Sequence, residues 1–423
     1  MDIERPHLNL LGIYHPLGHV LCMRMRKLAL VGAALCALVQ FADAKTIAVA
    51  PGDGAQERLQ EALIAAEPGD IVELGVGRFT LTDGLSLDVN NVTVKGQGAV
   101  ETTLDFAGQQ GAGEGLLVTS DDIVLRDFGV ENSKGDGIKS KGADRIVYYQ
   151  LRVEWTGGPK ATNGAYGIYP VESKDVLIDS VLVRGASDAG IYVGQSRNII
   201  VRNSTAVENV AGIEIENSID ADVHDNIATH NTGGVLVFDL PNLPQMGGHN
   251  VRIFGNIIVD NMTPNFAPKG NIVANVPTGT GIMVMANRKV EIFDNVLADN
   301  GTSNVMIVGY RFPFEDSKYD PLPREVVIWD NQHGRAGWDP QFRGGKEIAA
   351  AMGGSFPAIF WDGAGGNSSA PNIQDDVPAL SLGLTDIKAD TSAAQPTSLA
   401  MSTARPAALP AIILPESMEA VVR

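Results

Sequence analysis

The sequence predicts an all-β solenoid of stacked parallel sheets, and three observations predict it. First, a block of about 22 residues recurs through the middle of the chain. Blocks start at Gly115, Gly137, Gly167, Gly190, Gly212, Gly234 and Gly281, with Asn304 in the equivalent place, at spacings of 22, 30, 23, 22, 22, 47 and 23 residues. Second, each block holds three short runs of alternating Val and Ile, punctuated by Gly, Asn or Asp. One block reads Gly190-Ile191-Tyr192-Val193-Gly194, then Asn198-Ile199-Ile200-Val201, then Ala206-Val207-Glu208-Asn209. Alternation makes strands and the punctuation makes turns. Third, no helical pattern separates the runs. Three strands per block, repeated, wind into coils that stack at the ~4.8 Å strand spacing.

Composition agrees. Of 423 residues, 44% are hydrophobic, enough for a sizeable core, while aromatics reach only 6% and glycines number 47, which suits many tight turns. The net charge of −18 excludes a general nucleic-acid binder, which needs a basic surface. Beyond the N-terminal region no stretch approaches the ~18 apolar residues of a membrane span.

Taken in chain order, residues 1–44 stand apart from the fold. Met23 to Lys27 is basic, Leu28 to Phe41 is apolar, and Ala42-Asp43-Ala44 has the small-x-small form of a cleavage site. Together they predict a secretory signal peptide cut before Lys45, preceded by an upstream extension over 1–22. Both cysteines, Cys22 and Cys36, fall in this segment, so the mature chain has no disulfide or thiol chemistry. Its removal leaves 28 basic and 47 acidic residues, a net charge of −19. The expected location is the periplasm or the outside of the cell.

Residues 45–69 predict an N-terminal cap. Gln56 to Ala66 is a short amphipathic helix stopped by Pro68-Gly69-Asp70, and Ile71-Val72-Glu73-Leu74 begins a strand. Such a helix covers the open end of a solenoid core. The solenoid itself is expected over 70–340. In its turns Asp225-Asn226, Asp294-Asn295 and Asp330-Asn331 recur, as do Asn209, Asn231, Asn261 and Asn300. Stacked amides bond to one another along the axis, so these asparagines read as structural. Residues 341–423 predict a C-terminal cap and then a tail rich in Ala, Pro, Ser and Asp, either disordered or laid along the solenoid.

The run Leu59-Gln60-Glu61-Ala62-Leu63, Pro68-Gly69-Asp70-Ile71, Gly77-Arg78-Phe79 resembles the N-terminal cap of the right-handed parallel β-helix, pectate lyase-like superfamily. The resemblance covers about residues 47–331. It implies a single-stranded right-handed parallel β-helix and a polysaccharide or oligosaccharide as partner, bound by a monomer. It specifies the fold more sharply than the activity.

Four insertions interrupt the repeat, over 155–166, 239–248, 262–280 and 309–323. Insertions in a solenoid map to loops on one face, often the binding face. All four flank the first strand of the coils from Gly167 to Asn304, which predicts a groove. With Ile138, Ile168, Ile191, Ile213, Val235, Ile282 and Val305 inward, the outward floor is Lys139, Tyr169, Tyr192, Glu214 with Glu216, Leu236 with Phe238, Met283 with Met285, and Met306.

Three kinds of chemistry fit that floor. A lyase or C5-epimerase acting on a uronic acid needs a base and a group to stabilise the substrate carboxylate, and Tyr192 or Tyr169 with Lys139 supply them. Glu214, Glu216, Asp239, His249 and Arg311 then stand as substrate contacts, with Trp155 as a stacking surface. The pair Glu214-Ile215-Glu216 is similar to the paired-glutamate calcium site of one β-helix lyase family, which implies Ca²⁺ as a cofactor. The Lys and Arg of that family do not follow Glu216, and the Asp-Pro-His-Asp motif of β-helix mannuronan epimerases is absent. The second kind is a non-catalytic periplasmic binding or accessory protein. Some relatives by repeat do no chemistry, and one assists maturation of the copper enzyme nitrous oxide reductase. Met283, Met285 and Met306 with His249 would be the soft-metal donors in that reading. The third is a hydrolase, for which Asp188 and Asp239 lie near the groove.

Overall fold

A computed structural model describes residues 44–111 and 113–423. Residues 1–43, which hold both cysteines and all of the expected signal peptide but Ala44, lie outside the described residues.

The strands assemble into three sheets of 12, 12 and 10 strands. In each sheet the neighbour of a strand is the corresponding strand of the next coil, and nearly every pairing is parallel. One 12-stranded sheet collects the first strand of every coil, including Ile138–Lys141, Tyr166–Val171, Ala189–Gly194, Ala211–Glu216, Gly233–Phe238, Thr280–Met285 and Ser303–Val308. It is called here the site sheet. The alternation read from the sequence is the alternation observed. Ile138, Ile168, Ile191, Ile213, Val235, Ile282 and Val305 are fully buried in one continuous core enclosed by the three sheets.

The turns are built as the Asp-Asn pattern requires. Asp225, Asp294 and Asp330 take the left-handed conformation at φ 54°, 53° and 54°. The asparagines that follow them are free to point inward. Asn226, Asn256, Asn295 and Asn331 form one ladder, each Nδ2 donating to the next Oδ1 at 2.9–3.0 Å. Asn209, Asn231, Asn261 and Asn300 form a second. Such ladders satisfy polar groups that a buried turn would otherwise strand.

The helix Ala55–Ala65 buries Ala55, Leu59, Ala62 and Leu63 over the first coil. The stack is longer than the 70–340 marked by the repeat. It begins with Thr46–Val49, paired with Ile71–Leu74, and continues through Ile359–Trp361 to Ala379–Ser381. There the antiparallel strand Thr397–Ser398 pairs with Ala379–Ser381 and breaks the parallel register.

Of the two fates open to the tail, the structure shows the second. Residues 409–421 run along the outer face of the other 12-stranded sheet. Leu414 and Met418 pack on Val147, Leu177 and Ile200. Leu409 N donates to Glu291, Ile412 N to Asp222, and Arg202 pairs with Glu419 at 2.7 Å.

Candidate functional site

Register fixes the site. Lys139 pairs with Tyr169, Tyr192 with Glu214, Glu214 with Leu236, Leu236 with Met283, and Met283 with Met306. These outward residues therefore form one row along the axis. A second row runs Gly194, Glu216, Phe238, Met285. The Tyr169 and Tyr192 rings meet edge to face at 4.9 Å, the one-coil spacing expected from the sequence. Lys139 Nζ sits 4.8 Å from the Tyr169 ring centre and pairs with Glu114 at 3.0 Å.

Gly194 gives Tyr192 its direction. A Cβ at residue 194 would lie 2.4 Å from the Tyr192 Oη, so only glycine lets the ring fold across this position. The phenol thereby reaches the next coil and donates to Glu216 Oε1 at 2.7 Å. Glu214, two residues before, has neither carboxylate oxygen partnered, though it is only 1% exposed.

Tyr166 was hidden from the sequence pattern. Its ring lies 4.5 Å from both Tyr169 and Tyr192 and completes a three-tyrosine cluster. It has the parity of the inward Ile168, which predicts an inward side chain. The parity reverses at Gly167, where a Cβ would fall 2.2 Å from the core residue Val183. Glycine and isoleucine both face inward at this corner, so the residue before them faces out. Asp188, considered for hydrolysis, lies beside Tyr166 and accepts from Asn271 Nδ2 at 2.8 Å.

Burial raises the acids together. The Glu216 carboxyl is pushed up to about 7, chiefly by burial, against which the Tyr192 hydrogen bond acts. Asp188 and Asp136 are each pushed to about 6 by burial. Glu214 is held well above the carboxylate range by burial, with Glu216 and Asp188 adding to it. Tyr192 is raised well above 10 by burial and by Glu216. Burial lowers the Lys139 ammonium, but Glu114 and Asp136 outweigh it and the net shift is upward. The cluster thus sets a protonated Glu214 beside a Glu216 that ionises near neutrality, with Lys139 held at the edge by Glu114 and Asp136, and such raised acids concentrate at functional sites.

Several expected contacts take other roles. The open groove is not observed over its centre. Asn271, Val273 and Val276 of the third insertion cover that stretch, and Tyr192 and Glu214 are buried beneath them. Trp155 is not a stacking surface. Its ring is in the core, 5% exposed, with Nε1 donating to the Ser133 carbonyl. Arg311 is consumed by structure, pairing with Asp362 at 2.8 Å and donating to the carbonyls of Leu384, Asp386, Ile387 and Ala389. Asp239 caps the second insertion, accepting from Gly247 N and Gly248 N, and burial pushes it to about 6. His249 shares its Nδ1 with the Gly247 carbonyl at the start of a strand in the other 12-stranded sheet. Tyr169, Lys139 and Glu114 remain partly exposed and form the open end of the site.

The donor set at Glu214 and Glu216 does not fit calcium. That ion takes about six to eight oxygens. Glu216 is engaged by Tyr192, and among the described residues no group of three or more His, Cys, Asp or Glu is placed to hold a metal ion.

The family model described as a right handed beta helix region matches residues 114–266, the coils that carry this site. The fold is a right-handed parallel β-helix. The chain is also similar to several solved structures. The A-module of a mannuronan C-5 epimerase from Azotobacter vinelandii is 15% identical, covering 76% of this chain and 90% of that one, with a TM-score of 0.47. An alginate lyase from Paenibacillus sp. is 17% identical over 69% and 97%, TM-score 0.44. A family 28 exopolygalacturonase from Yersinia enterocolitica is 12% identical over 79% and 72%, TM-score 0.43. No curated protein matches the chain in sequence. Among the described residues no helix is long and apolar enough to cross a membrane.

Proposed function

We propose that this β-helix acts outside the cytoplasm on a uronic-acid-containing glycan, moving the C5 proton as a lyase or C5-epimerase. The observation that carries the reading is the Tyr192–Glu216 hydrogen bond beside the unpartnered Glu214. Tyr192, held well above 10, is too weak an acid to act alone as a phenolate base. Paired with Glu216, which titrates about 7, it can take the C5 proton while passing its own to the carboxylate. The C–H electron pair then moves into the substrate carboxylate. Glu214, protonated, donates to that carboxylate, and Lys139 adds a positive charge at the open end. Return of a proton from water to the opposite face gives the epimer, and Glu216 then loses its extra proton to solvent. Loss of the C4 oxygen, protonated by the Tyr192 hydroxyl that now carries the C5 proton, gives a C4–C5 double bond. Substrate reaches Tyr192 when the 262–280 segment lifts from Asp188.

A second reading, a non-catalytic glycan-binding protein, is favoured by the burial of Tyr192 and Glu214. One experiment separates the two. Residues 45–423 are incubated with polyuronates and neutral glycans in deuterated water, with and without calcium. Ultraviolet absorbance reports an unsaturated product, and deuterium at C5 without cleavage reports epimerisation. Either signal, abolished by Glu216→Gln and by Tyr192→Phe, supports the proposal. Silence across the panel overturns it and leaves the binding reading.

A further inference from the structure

Beyond the carboxyls, the same face of the site sheet turns apolar. Phe238, Met283, Met285, Met306, Phe360 and Leu384 surround a cavity of about 210 Å³ open on one side. That exceeds the ~150 Å³ of an apolar cavity known to admit benzene. Its aromatic and thioether walls adapt to alkyl or ring shapes. The charge at its rim is already spent, because Arg311 is satisfied by Asp362 and backbone carbonyls. An anionic head group therefore has no counter-charge here, and the fitting occupant is neutral and apolar.

Register joins this cavity to the acid cluster. Glu216 pairs with Phe238 and Phe238 with Met285, while Glu214 pairs with Leu236 and Leu236 with Met283. The cavity wall thus begins one coil from the carboxyls, about 5 Å along the axis. A plain polysaccharide would leave the apolar half unfilled. A simple lipid would leave the tyrosine and carboxyl half without a partner. We propose that the ligand of this face is an amphiphilic glycan, a sugar carrying an alkyl, acyl or aromatic substituent, with the sugar reaching Tyr169–Glu216 as the 262–280 segment lifts and the substituent against the cavity wall that the site sheet itself supplies, Phe238, Met283, Met285 and Met306. This rests on the glycan reading above and names the substrate class for it.

The test uses residues 45–423, the neutral fluorophore N-phenyl-1-naphthylamine, and octyl glucoside below its micelle concentration. The fluorophore is expected to bind, and octyl glucoside to displace it at least tenfold more tightly than glucose or octanol. Val308→Trp, which places an indole in the cavity mouth, should weaken both by tenfold or more. Should that variant not fold, Met306→Ala enlarges the cavity and is expected to shift the preferred alkyl chain to a longer one. Absence of fluorophore binding, octanol competing as well as octyl glucoside, or affinity indifferent to chain length and to both variants overturns the inference, even with polyuronate turnover intact. Polyuronate silence with alkyl glucoside binding intact supports the amphiphile site and overturns the uronate chemistry instead.

Discussion

Glu216 shows how one residue links the local pattern to a measurable property. Its folded carboxyl titrates about 7 because burial penalises the charge, and Asp188, Asp136 and Asp239 are each raised to about 6. An acid raised in the folded state binds more protons there than in the unfolded chain. Stability therefore falls as pH rises from the unfolded carboxylate values, near 4, through the folded values of about 6 to 7. Carboxylates held low by cations, such as Asp122 beside Arg145, act in the opposite sense only below that window. The protein is expected to melt at a higher temperature at pH 5 than at pH 8. Glu216→Gln should recover part of the difference, on the order of 2 kcal/mol at pH 8. Tyr192→Phe removes the one hydrogen bond that favours the ionised form. Carbon NMR of labelled glutamate should then show the Glu216 midpoint moving above its wild-type value. A midpoint that stays or falls would contradict the assigned geometry.

At the scale of elements, the asparagine ladders hold the corners. Asn231 accepts from the backbone and side chain of Asn209 and donates to Asn261 and the Ala206 carbonyl. Asn231→Ala leaves the buried backbone N–H of Asn209 without its acceptor and cuts the amide ladder between Asn209 and Asn261. The expected cost is about 2–4 kcal/mol, read from the urea midpoint with the slope unchanged. A loss under about 0.5 kcal/mol would mean that water replaces the amide, and the ladder would be dispensable. The ladders were legible in the sequence because each is a same-residue repeat at a fixed spacing. The division of labour within each Asp-Asn pair was not. The left-handed residue is the aspartate, and the asparagine is left to stack.

At the scale of the whole molecule, the chain closes over itself twice. The 262–280 segment covers the acid cluster, and the C-terminal segment straps the opposite flank from Leu409 to Val421. Deleting residues 406–423 uncovers Val147, Leu177 and Ile200. The expected outcome is a loss of about 3 kcal/mol, with new binding of a hydrophobic dye on that flank. Unchanged stability and no dye binding would show that the strap adds nothing to the fold.

What the sequence determined by itself was everything periodic. The coil length, the inward isoleucines, the asparagine ladders, the tyrosines one coil apart and the row Lys139–Tyr169–Tyr192–Glu214 all follow from local alternation and turn chemistry repeated in register. Tertiary structure decided what is not periodic. Trp155 fell into the core and Arg311 found Asp362, 51 residues away. Tyr166 turned outward because two successive inward residues reverse the parity at Gly167. Asn271 reached back to Asp188 across 83 residues and closed the groove. The reason is physical. A stacked strand sees the same neighbours in every coil, so its environment is written in the repeat. An insertion meets partners far away in sequence, and burial and hydrogen-bond satisfaction choose among them only once the coils are in place.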